Sequence, residues 1–87
     1  MKNLLGAQMR AGRALLRWPA SELARESGVS LATIHRAESV DGVSAMTAAN
    51  ASAVRRALEN AGVEFIDENG GGPGARLRKP VKTMPAK

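Results

Sequence analysis

Arg36 carries the most informative chemistry in this sequence. Its planar guanidinium presents paired donors, a fork that matches two acceptors on the major-groove edge of guanine. His35 stands beside it, with Ser30 and Thr33 a few residues earlier. Hydroxyls and an imidazole grouped in this way suit hydrogen bonds to a base edge or a phosphate. Ser21, Arg10 and Arg25 add further groups suited to phosphate oxygens. The bland alternatives stand beside these: Arg36 meeting only phosphate or solvent, His35 as an ordinary surface residue, the serines as plain helix caps. Catalysis lacks its parts, because there is one histidine, no cysteine and no carboxylate pair in an apolar setting. The same counts leave His35 without partners for a metal site, so no metal and no cofactor is expected.

Charge points the same way. Thirteen lysines and arginines against eight acids leave a formal net charge of +5 over 87 residues. The first 36 residues set Lys2, Arg10, Arg13, Arg17, Arg25 and Arg36 against Glu22 and Glu26. The last part sets Arg76, Arg78, Lys79, Lys82 and Lys87 against Asp67 and Glu68, while residues 37–66 are slightly acidic. Basic ends around an acidic middle suit a polyanionic partner, although a solubilising surface has the same signature. No signal-like or membrane-spanning apolar run is visible, and with no cysteine a cytoplasmic location is expected. No small-molecule pocket is evident from the sequence.

These groups need short helices to hold them. Leu5, Met9, Gly12 and Leu16 recur at helical spacing and predict a helix over 4–17, with Arg10, Arg13 and Arg17 as a basic stripe. Trp18-Pro19 opposes its continuation. Pro19 suits the first position of a second helix over 20–27, and Gly28 ends it by reaching left-handed angles at no steric cost. Ser30 is a good N-cap for a third helix over 31–38, with Ile34 and Ala37 turned inward. Thr47 caps a fourth over 47–61, striped by Val54 and Leu58 and stopped by Gly62. Val63–Ile66 reads as a strand, residues 67–74 as a glycine-rich turn, and 75–78 as a returning strand. The run Gly70-Gly71-Gly72-Pro73-Gly74 lacks the Gly-Lys-Ser/Thr ending of a phosphate loop.

The stretch Ser21 to Glu38 resembles the helix-turn-helix of Cro/C1-type (Xre family) transcriptional regulators. The matching residues are Leu23-Ala24, Gly28-Val29-Ser30, Ile34 and Glu38, and the likeness spans roughly residues 5–62. It implies a mainly α, four-to-five-helix, lambda-repressor-like DNA-binding domain that binds a palindromic operator in double-stranded DNA as a homodimer. The third helix would then enter the major groove, with Leu31, Ala32, His35 and Arg36 facing bases. Ser21, Ser30, Thr33, Arg10 and Arg25 would face phosphates. In the family the arginine matching Arg13 and the glutamate matching Glu38 pair with each other, so both are expected to act as a structural clamp. Leu31 and Ala32 stand where many relatives carry polar residues, which makes readout there apolar, against a thymine methyl.

Residues 1–62 are expected to form the DNA-binding unit and 79–87 a disordered basic tail. Residues 63–78 are expected to supply a short C-terminal β-hairpin or dimer strand. Val63, Phe65, Ile66 and Leu77 would then meet a second subunit, since a lone hairpin is marginal in water. The alternative is a hairpin folded back on its own helices. Helix-turn-helix modules of this type also occur in antitoxins and anti-activators, which work through a protein partner. The short length and the C-terminal glycine-rich run are similar to small bacterial regulators often linked to mobile elements.

Overall fold

Local punctuation sets the helices of the computed structural model, which describes residues 3–78. The tail expected at 79–87 lies outside the described residues. The first helix, α1, spans Gly6–Leu16. Its first amides are met by a loop far along the chain: Gly6 N–H donates to Gly42 O at 2.8 Å and Ala7 N–H to Asp41 O at 3.3 Å. That approach needs glycine, because a Cβ on Gly6 would lie 1.9 Å from Val40 O. The helix ends on Arg17 in the left-handed region, φ 58°, and so turns the chain into Trp18-Pro19.

Helix α2 spans Ala20–Ser27 and α3 spans Leu31–Glu38. Pro19 is the N-cap of α2, one position before its expected place. Gly28 closes α2 at φ 75°, where a side chain would strain the backbone. Ser30 Oγ then accepts the Thr33 N–H at 3.2 Å and starts α3. Helix α4, Ala48–Asn60, opens in the same way, with Thr47 Oγ1 accepting the Asn50 N–H at 3.1 Å.

Strands β1 (Val63–Ile66) and β2 (Gly74–Leu77) form an antiparallel pair in the register Val63↔Leu77 to Ile66↔Gly74. The second strand starts one residue earlier than expected, because Gly74 completes the pairing with Ile66. The molecule is thus small and mostly helical, with four helices and a two-stranded antiparallel hairpin among the described residues. No helix there is long and apolar enough to cross a membrane.

One core joins all these elements. Met9, Leu23, Ile34, Val54, Leu58 and Val63 are fully buried, and Leu4, Val29, Ala37 and Phe65 complete the cluster. Of the four strand side chains expected to meet a second subunit, two are covered by the chain's own helices. Val63 and Phe65 are buried within their own chain, while Ile66 and Leu77 are half-buried. The reason is supply of apolar surface. Strands of four residues bury little by themselves, and the hairpin packs on α1 and α4. Arg55 covers the ring of Phe65, its guanidinium carbon 5.2 Å from the centroid.

Candidate nucleic-acid interface

Helix α3 is held from one side only. Ile34 and Ala37 are buried against the core, and Val29 fills the corner where α2 turns into α3. Leu31, Ala32, His35 and Arg36 lie on the opposite side and are exposed. Positions 31 and 35, and positions 32 and 36, are one helical turn apart and so share a face. Among the described residues, no hydrogen bond or ion pair engages the side chains of His35 and Arg36. The four expected base-facing residues are therefore together on one surface.

Two arginines of α1 hold the end of α3. Arg13 Nε donates to Glu38 Oε2 at 2.8 Å and Nη2 to Oε1 at 2.7 Å, a two-point contact of matched geometry. Its third donor, Nη1, reaches Trp18 O at 2.9 Å. The hydrogen bond to Glu38 raises the Arg13 pKa, against the opposing effect of burial. Glu38 is buried, so α3 projects no carboxylate from its outer face. The expected clamp is formed.

Arg10 has a related placement. Its Nη1 donates to Glu38 O at 2.5 Å and to Val40 O at 3.1 Å, and its other terminal nitrogen pairs with the Asp41 carboxylate. A cation on the last carbonyls of a helix is favoured by the helix dipole. Arg10 was expected to stand toward phosphate, and is instead engaged with the loop after α3. Arg25 pairs with Glu22 and Glu26 on its own helix. Its hydrogen bond to Glu22 raises its pKa, with added attraction from both acids.

Ser21 is exposed in the first turn of α2, and Ser30 is exposed at the start of α3. Ser30 caps its helix and also donates from Oγ to Thr33 Oγ1 at 2.9 Å. Thr33 is half-buried. The two serines thus stand at helix N-termini, where backbone amides favour anions. The loop over 39–46 contributes no basic side chain.

Gln8 is the residue that sequence reasoning missed. It is buried, and its amide nitrogen donates to Ile66 O at 3.3 Å and Gly74 O at 3.0 Å. Its Oε1 accepts the Leu5 N–H at 3.2 Å. One side chain therefore ties the start of α1 to the turn end of the hairpin, where Ile66 pairs with Gly74. A lone glutamine in an amphipathic helix gives no periodic signal, so only its burial reveals the role. Every buried side-chain nitrogen and oxygen among the described residues has a partner. No three metal-ligating side chains converge among them.

Fold and site together define a small helical protein with one short helix presented outward on a clamped support. No protein-family model matches the chain, and no curated protein matches it.

Proposed function

We propose that this protein is a sequence-specific DNA-binding regulator of the Cro/C1 helix-turn-helix kind, with α3 reading base edges in the major groove. The observation that carries this reading is the two-sidedness of α3. Its inner side is fixed by Ile34, Ala37 and the Arg13–Glu38 pair, while its outer side offers Arg36 and His35 without a competing carboxylate. A rigid helix with free donors fits a groove wide enough for one helix. Ser21 and Ser30 suit the flanking phosphates, and the net positive charge supports association with a polyanion.

The reading includes a two-fold homodimer on a palindromic site, with recognition helices about 34 Å apart. Its interface would involve the half-buried Ile66 and Leu77, since Val63 and Phe65 are already covered within the chain.

The test is selection from random duplexes, followed by titration of wild type and Arg36→Ala across a salt series. The expected result is an enriched site, a steep fall in affinity with salt, and about 1–3 kcal/mol lost in Arg36→Ala. Equal, weak binding of both proteins to every duplex would overturn the reading.

A further inference from the structure

The outer face of α3 is half apolar, and that half has no use in the core. Leu31 is 41% exposed, one of four large hydrophobic side chains exposed among the described residues. Of the other three, Leu15 lies on α1, and Val40 and Val43 lie in the loop that follows α3. Leu31 alone shares a helix face with the free cationic groups. It is also the first residue of α3, followed by the exposed Ala32.

The N-terminal residues of a recognition helix are those that reach base edges. Leucine and alanine side chains can neither donate nor accept a hydrogen bond. A base beneath them is distinguished only by shape and apolar contact. The major groove offers one apolar feature, the methyl group on carbon 5 of thymine. A cytosine methylated at carbon 5 presents the same group at the same place, whereas unmodified cytosine and uracil do not.

Resting on the DNA-reading proposal above, we propose that Leu31 and Ala32 read the pyrimidine 5-methyl group, so that the protein binds methylated cytosine in preference to unmethylated cytosine. Spacing adds a constraint. Arg36 lies four residues beyond Ala32, a rise of about 6 Å, against a base step of about 3.4 Å. The methylated pyrimidine and the guanine met by Arg36 therefore lie one or two base pairs apart. Charge agrees, because the face that carries Leu31 also carries Arg36 and His35 and no acid.

The experiment begins with the site selected from random duplexes. Each thymine is replaced in turn by deoxyuridine, which removes the methyl and leaves pairing intact. One or two positions should lose roughly three- to fivefold in affinity, the value of burying one methyl. Where the aligned pair is made cytosine–guanine, 5-methylation of that cytosine should restore a similar factor. Leu31→Ser should bind the thymine and deoxyuridine sites equally. The DNA substitutions leave the protein untouched, so no folding defect enters them. Failure to select any site would defeat the DNA-reading proposal itself. A selected site indifferent to every deoxyuridine would overturn this inference and leave DNA reading standing. Sensitivity to deoxyuridine without a gain from 5-methylcytosine would overturn the preference for methylated cytosine.

Discussion

The α2–α3 corner and the C-terminal hairpin both carry large apolar side chains on short elements, and they direct them oppositely. The hairpin turns Val63 and Phe65 into the core, and covers the Phe65 ring with Arg55. The corner buries Val29 and Ile34 but leaves Leu31 outside. Both regions contain arginines, again with different dispositions. Arg76 in the hairpin pairs with Glu64 across the strands, whereas Arg36 on α3 has no partner among the described residues. The comparison teaches that residue type alone does not mark a binding surface. What marks it is a side chain that neither the core nor a neighbouring charge has engaged.

Three substitutions test that contrast. The largest effect is expected at Phe65. Phe65→Ala should lose about 3–5 kcal/mol of stability, measured by denaturant unfolding, because it empties a core position. If the loss is below about 1 kcal/mol, the hairpin is not part of the core and its side chains are free for a partner after all. Next comes the clamp. Arg13→Met should cost about 2–4 kcal/mol, because it leaves the Glu38 carboxylate buried without its partner. Since the Arg13 pKa is raised in the folded state, its contribution is complete below the ordinary arginine value and is lost only as pH rises past the raised one. Stability from this pair should therefore stay flat through neutral pH. A fall in the wild-type minus Arg13→Met difference near neutrality would contradict that. The smallest effect is expected at the turn. Gly28→Ala should cost about 1–2 kcal/mol, from left-handed backbone alone, since an added Cβ meets nothing within 4 Å. DNA affinity measured below the unfolding transition should change less in Phe65→Ala than in Arg36→Ala, although the stability ranking is the reverse.

Much of the corner was legible in the sequence, and much of the hairpin's placement was not. Pro19, Gly28 and Ser30 are local instructions, each acting on its own backbone, and they locate α2 and α3 closely. Thr47 does the same for α4. The alternation of Val63 and Phe65 showed a strand with one apolar face. It did not show which surface covers that face, because the answer depends on α1 and α4 many residues away. The same limit applies to Arg10. Its type and spacing suited phosphate, and its engagement follows from a loop that returns past the start of α1. Gln8 and Gly6 were illegible for this reason too, since their constraints come from distant carbonyls.

Those distant carbonyls have a consequence for the order in which the protein is made. The two acceptors of the Gln8 amide lie 58 and 66 residues downstream. A ribosome releases the α2–α3 corner well before it has synthesised either of them. The nascent first helix must keep that amide hydrated until the hairpin emerges, and only then can the Gln8 side chain join the two. The lock on the first helix is therefore the last part of the core to be translated.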